Sequence, residues 1–344
     1  MSALDAPMAA HAWHTNTAPA LQAWGLPPGG ELKLLSHSEN ATYRVSDPAG
    51  TGHCVLRLHQ PGMRSLAHIA SEVAWIGALR DTGLVHTPEL VPTRTGERVA
   101  CFTDGQGRAQ HAVMFEYIAG GPPPAQSLER TFAELGRLSA RLHQHARQWK
   151  RPQGFDRPAW GVEETMGRQG WWGHWRHNPQ VGPREEAVLA RVDAKIRQEL
   201  ATYDAQTARK GLIHGDMRQA NLLQGEPGLY LIDFDDCGFS WELYELACSL
   251  SFIEDHPDGD ALVAAWLGEY QKAHPLNADD LRAVAALVML RRLLLVGWFG
   301  THTHTQEARE IHTYVDGTLA IAERYLNHRF LRPAMAELHT GTFA

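Results

Sequence analysis

Lysine is scarce in this chain: five among 344 residues, at positions 33, 150, 195, 210 and 272. Cysteine is scarcer, with only Cys54, Cys101, Cys237 and Cys248, scattered and without a CxxC pair. That pattern supports neither a disulfide framework nor a cysteine zinc site, and it makes the reducing cytoplasm the expected location. Positive charge is not in excess: 32 Lys and Arg stand against 39 Asp and Glu, a formal net charge of −7. No global basic field therefore gathers nucleic acid. The longest apolar run, residues 283–299, carries Arg291 and Arg292 at its middle. It reads as a buried helix and not as a membrane segment, so no membrane partner is expected. The N-terminal stretch lacks the basic and apolar regions of a secretory signal. Neither GxxxxGK[ST] nor GxGxxG occurs between a strand and a helix, so P-loop and dinucleotide-binding readings lose support.

What is present is globular. With 44% hydrophobic and 21% charged residues, the chain can bury a large core, and its length suits two domains of roughly 150 residues each. After the Pro27-Pro28-Gly29-Gly30 break, short β-compatible runs at 32–35, 42–46, 53–58, 98–102 and 112–118 surround one helical stretch at 69–79. From Gly120-Gly121-Pro122-Pro123-Pro124 onward, helical periodicity dominates, at 128–149, 183–203, 241–252, 260–273, 278–300 and 306–327. The expectation is an α+β chain: a small antiparallel sheet domain over 1–118 and a larger, mainly helical domain over 119–344.

One segment carries chemistry at a defined spacing. His214-Gly215-Asp216 is followed by Asn221, and Asp233 follows in Leu231-Ile232-Asp233-Phe234-Asp235, beyond a Gly-Glu-Pro-Gly turn that would join two short strands. Phosphoryl transfer uses these groups: one carboxylate accepts the proton of the attacking hydroxyl, while an amide oxygen and a second carboxylate hold Mg²⁺ on the nucleotide phosphates. Any one of these residues alone would read as a turn cap; the set at fixed offsets does not.

On those residues the sequence resembles the aminoglycoside phosphotransferase and choline kinase superfamily, whose members have a protein-kinase-like bilobal fold. The resemblance runs over about 32–325. It implies Asp216 as catalytic base, Asn221 and Asp233 as magnesium ligands, His214 as an organiser of the loop, and Arg218 as a charge stabiliser near the transferred phosphate. It makes 1–118 the nucleotide-binding lobe and 119–344 the lobe with the catalytic loop and the acceptor site. In the first lobe, Arg57 stands where the family has its third-strand basic residue, usually Lys. Glu72 follows in the next helix as its partner. Ser38 and Asn40 fall at the nucleotide-covering loop, and Glu116 and Ile118 at the strand whose backbone would bind adenine. His143 reads as a core or capping histidine, and Glu245 replaces a common Asp, leaving its loop-bracing role open.

The implied activity is ATP- and Mg²⁺-dependent transfer of a phosphoryl group to the hydroxyl of a small molecule: an amino alcohol, a hydroxy-amino acid or an aminoglycoside-like compound. The alternatives are a stress-response type Ser/Thr protein kinase and a non-catalytic, pseudokinase-like nucleotide-binding protein. For the acceptor, Trp171, Trp172 and Trp175 offer an aromatic wall or plain packing. Glu254, Asp255, Asp258 and Asp260 offer a lure for a cation or a solvated loop. Asp235 is a candidate second metal ligand or a local cap. His302 and His304 read as a histidine-rich loop.

Overall fold

The computed structural model describes residues 13–27, 31–46, 52–123, 128–206, 208–226, 228–303, 305, 308 and 310–331. They divide into two compact units. The first ends at Ala119 and takes back Arg151–Arg157; the second comprises Gly120–Lys150 and the chain from Pro158 onward.

The first unit opens with helix α1 (Thr17–Ala23) and is built on strands β1 (Leu32–His37), β2 (Asn40–Ser46), β3 (His53–His59), β4 (Ala100–Thr103) and β5 (Ala109–Glu116). They form one antiparallel sheet in the order β1-β2-β3-β5-β4. Alternation along the strands assigns the faces. Ala41, Tyr43 and Val45 of β2, Leu56 and Leu58 of β3, and Ala112 and Met114 of β5 gather with Trp13 and Leu21 in one core. Arg57, between Leu56 and Leu58, belongs to the other face, in register with Thr42 and Val113. Helix α2 (Leu66–Thr82) supplies the partner for that face. It starts at Ser65, whose Oγ accepts the His68 N–H at 3.1 Å, and stops at left-handed Gly83. The returning segment is fastened to α2: Asp156 N–H donates to Ser71 Oγ at 2.8 Å and Arg157 Nη1 to the His68 carbonyl at 2.9 Å.

The strands differ from expectation at their ends. The first hairpin zips further than 32–35 and 42–46, leaving only Ser38 and Glu39 between strands, because Asn40 already pairs with His59 across β3. β5 stops at Glu116, so Tyr117 and Ile118 have left the sheet.

The second unit contains α3 (Leu128–Gln148), α4 (Val162–Met166), α5 (Pro183–Gln206), β6 (Lys210–Ile213), β7 (Leu222–Gln224), β8 (Leu229–Leu231), β9 (Gly238–Trp241), α6 (Tyr244–Ser249), α7 (Gly259–Tyr270), α8 (Ala278–Thr301) and α9 (Tyr314–Leu326). The helix expected over 241–252 shrinks to α6, because Trp241 closes strand β9 opposite Lys210 of β6. A short apolar run fits either state, and pairing with β6 decides it. Of the helix expected over 306–327, residues 306, 307 and 309 lie outside the described residues, and the regular part is α9.

Helix α8 begins with a capping box: Asn277 Oδ1 accepts the Asp280 N–H and Asp280 Oδ2 accepts the Asn277 N–H, both at 2.9 Å. By length and composition it is apolar enough to cross a membrane, but 89% of its apolar window is buried inside the protein, where it packs on α4, α5 and α6. It is the core helix of its unit.

Candidate active site

Strand β6 delivers the chain into the loop 214–218, and the loop is fastened from several sides. Glu245, at the start of α6 and fully buried, accepts the His214 N–H at 2.7 Å and the Gly215 N–H at 3.1 Å. Cys248 Sγ donates to the Gly215 carbonyl at 3.0 Å and Ser249 Oγ to the Met217 carbonyl at 2.8 Å. His214 Nε2 lies 3.1 Å from the Ile232 carbonyl and its Nδ1 3.2 Å from the Asp216 backbone nitrogen. One tautomer, protonated on Nε2, satisfies both contacts. Gly215 has φ +82°, and a Cβ there would fall 2.4 Å from the Asp236 carbonyl oxygen. The loop therefore requires glycine at this position.

Asp216 is held at both carboxylate oxygens. Oδ2 accepts Asn221 Nδ2 at 2.8 Å and Arg218 Nε at 3.2 Å; Oδ1 accepts Arg291 Nη2 at 2.6 Å. Burial pushes this carboxyl up, but the Arg218 and Arg291 guanidiniums outweigh it, and the group lies below the usual aspartate value. The carboxylate is thus ionised and oriented, as an acceptor for a hydroxyl proton must be.

Asn221 closes a short 3₁₀ turn and also gives Nδ2 to the Asp216 carbonyl at 2.8 Å. With its amide nitrogen spent on Asp216, its Oδ1 is the atom left for a cation. The Asn221 carbonyl accepts the Ile232 N–H at 3.0 Å, tying the residue before Asp233 to Asn221. Asp233 itself is exposed and adopts φ +66°, a conformation few non-glycine residues take. An amide oxygen and an exposed carboxylate are hard oxygen donors, which fit Mg²⁺.

In the first unit, Arg57 Nη2 meets Glu72 Oε1 at 2.5 Å, with side chains 6% and 0% exposed. The Arg57 guanidinium also lies 5.3 Å from the Phe115 ring centroid. Ser38 is exposed and its N–H donates to the Asn40 carbonyl at 3.0 Å; Asn40 is the first residue of β2 and not a loop residue. The Glu116 N–H donates to the Glu89 carbonyl at 2.8 Å, so of its two backbone groups the carbonyl is the one the adenine expectation concerns. Ile118 lies just past the strand, half-buried.

The remaining sequence candidates separate. His143 is a core residue, with Nδ1 3.0 Å from Tyr270 Oη. Trp175 is packed, its Nε1 donating to Asp193 Oδ2 at 3.0 Å, whereas Trp172 lies 5.0 Å from the Arg291 guanidinium. The acidic cluster does not act as one: Glu254 is buried against Arg292 Nη1 at 2.5 Å, while Asp255 and Asp258 are exposed. His302 stacks on Trp298, and His304 lies outside the described residues. Arg291 is the site residue that the sequence reading missed. Its signal was two arginines inside an otherwise apolar helix, which must find buried partners.

Comparisons with known proteins give the family and the fold. A family model described as the phosphotransferase enzyme family matches residues 31–287. A solved microcompartment-associated aminopropanol kinase is 37% identical, with a TM-score of 0.84, covering 92% of this chain and 99% of its own. An amicoumacin kinase solved with AMP-PNP, Ca²⁺ and Ami shares the fold at 20% identity and a TM-score of 0.73, covering 94% of this chain and 96% of its own. The amicoumacin kinase of Bacillus subtilis (strain 168) is 21% identical over 296 residues, 82% of this chain and 84% of that protein.

Proposed function

Because the chain belongs to the phosphotransferase enzyme family, we propose that it is an ATP- and Mg²⁺-dependent kinase whose acceptor is the hydroxyl of a small amino alcohol of the aminopropanol type. The observation that carries this reading is Asp216, ionised, aimed by three donors and mounted on a loop whose backbone is itself bonded on several sides. The acceptor class rests on the 37% identical aminopropanol kinase, matched along nearly its whole length.

In the proposed reaction the acceptor oxygen bonds to the γ-phosphorus of ATP while the bond from that phosphorus to the ADP oxygen breaks. Asp216 takes the hydroxyl proton. Arg218, bonded to the same carboxylate, would offset charge on the transferring phosphoryl oxygens. Asn221 and Asp233 would hold Mg²⁺, which when bound neutralises phosphate charge. On the first unit, Arg57, fixed by Glu72, would hold the remaining phosphates. Ser38, Asn40, the Glu116 carbonyl and Ile118 would complete the nucleotide contacts.

The test is phosphate transfer from ATP to a panel of 1-amino-2-propanol, ethanolamine, choline, homoserine, an aminoglycoside and a serine peptide, with wild type and Asp216→Asn. Turnover of an amino alcohol that falls by about 10³-fold in the variant is expected. Wild-type turnover in Asp216→Asn overturns the assigned base, and turnover of the peptide alone overturns the acceptor class.

A further inference from the structure

Helix α8 places two arginines side by side in the core, and their partners differ. Arg292 is occupied by structural neighbours: Nε donates to Thr318 Oγ1 at 2.8 Å, Nη1 to Glu254 Oε2 at 2.5 Å and Nη2 to the Tyr314 carbonyl at 2.9 Å. Arg291, 1% exposed, turns to the catalytic loop instead. Its Nη2 donates to Asp216 Oδ1 at 2.6 Å, its Nη1 to the Gly215 carbonyl at 3.1 Å and its Nε to Ser251 Oγ at 3.0 Å. The Trp172 ring lies 5.0 Å from its guanidinium. A guanidinium buried in an apolar helix is tolerated only with its donors satisfied, and a planar fork locked at three points has one orientation.

We infer that Arg291 is a positioning residue for phosphoryl transfer: it fixes the Asp216 carboxylate and the Gly215 peptide as one rigid pair and acts on the reaction only through them. This rests on Asp216 being the base. Asn221 and Arg218 both bond Oδ2; among the described contacts of the carboxylate, Arg291 alone bonds Oδ1. Without it the carboxylate keeps its donors on one oxygen and is free to rotate about that edge. A group that aims the base but does not touch the nucleotide alters kcat and leaves the KM for ATP in place. Arg292, one residue along and equally buried, is the internal control, since its partners lie elsewhere.

The experiment is a mutant cycle of Arg291→Met and Asp216→Asn, with Arg291→Lys, Ser251→Ala and Arg292→Met beside it. It reads kcat, both KM values and the thermal midpoint of the full chain. Arg291→Met is expected to lower kcat by about 10²-fold with the ATP KM within about twofold, and to cost less than about threefold more in the Asp216→Asn background. Arg291→Lys should recover about tenfold of the loss, because it restores a cation on Oδ1. Ser251→Ala should lower kcat about threefold by loosening the fork. Arg292→Met should lower the midpoint, with whatever effect it has on kcat multiplying that of Asp216→Asn. If Arg291→Met and Asp216→Asn multiply, or Arg291→Lys behaves like Met, the inference is wrong. Should Arg291→Met not fold, the Lys and Ser251→Ala variants decide in the same way: a wild-type kcat in both refutes it. A wild-type kcat in Asp216→Asn would instead remove the base, a separate failure.

Discussion

Arg57 Nη2 and Glu72 Oε1 lie 2.5 Å apart, and neither side chain has more than 6% of its surface exposed. The pair joins the middle strand of a sheet to the helix that follows it. Arginine keeps its charge when buried and presents a planar fork that glutamate can hold in one orientation.

Breaking that pair should cost stability and nucleotide binding together. Glu72→Gln leaves a buried guanidinium without its counter-charge, for which about 3–5 kcal/mol is expected. Arg57→Met should raise the KM for ATP by about tenfold or more, with a smaller change in the acceptor KM. Denaturant unfolding and steady-state kinetics check the two outcomes. An unchanged ATP KM in Arg57→Met removes Arg57 from the nucleotide site.

Glu245 should behave as a loop anchor. Glu245→Ala strands two buried N–H groups, those of His214 and Gly215, each worth about 1–3 kcal/mol. Turnover is expected to fall with stability, and Glu245→Asp, one methylene short, should fall between. If Glu245→Ala unfolds at the wild-type denaturant midpoint, the anchor role is refuted.

Gly215→Ala tests backbone geometry alone. At φ +82° and with a Cβ 2.4 Å from the Asp236 carbonyl, alanine forces the loop to move, at a cost of about 1–3 kcal/mol in strain before any displacement of Asp216. Loss of kcat in a variant that remains folded by near-UV circular dichroism is the expected result.

Acid sensitivity should trace partly to Glu242. Burial pushes its carboxyl up, but hydrogen bonding to Arg147 and the charges of His143, Arg147 and Arg209 bring it below the usual glutamate value. A carboxyl depressed in the folded state binds protons more readily when unfolded. Its stabilisation is therefore complete above about pH 4.5, the unfolded value, and is lost as pH falls through the lower folded one. Glu242→Gln should be less stable than wild type at pH 7 and show a shallower fall in thermal midpoint below about pH 4.5. Parallel curves for the two proteins would contradict this.

The contact of Asn221 with Asp216 was legible because it is local: the two lie close along the chain, and Asn221 Nδ2 reaches Asp216 Oδ2 within one short loop. Arg57 and Glu72 were legible for a similar reason, a strand followed at once by its helix. Long-range polar partners were not. Arg291 reaches Asp216 across 75 residues, and sequence pattern marks it as an arginine within an apolar helix without naming its partner. Glu254, read with its acidic neighbours, is a core ion-pair residue because Arg292 lies one position beyond Arg291. Element ends failed where pairing outranks local preference, as at Asn40 beside β3 and Trp241 beside β6.

The return of Arg151–Arg157 to the sheet unit bears on how the protein is made. Synthesis runs from the N-terminus, and when Ala119 leaves the ribosome all five strands have been translated but α2 still lacks Asp156 on Ser71 and Arg157 on the His68 carbonyl. Those bonds wait until the whole of α3 has been translated. A fragment cut before Gly120 would lack them permanently, so the nascent sheet unit should become resistant to protease only once Arg157 has emerged.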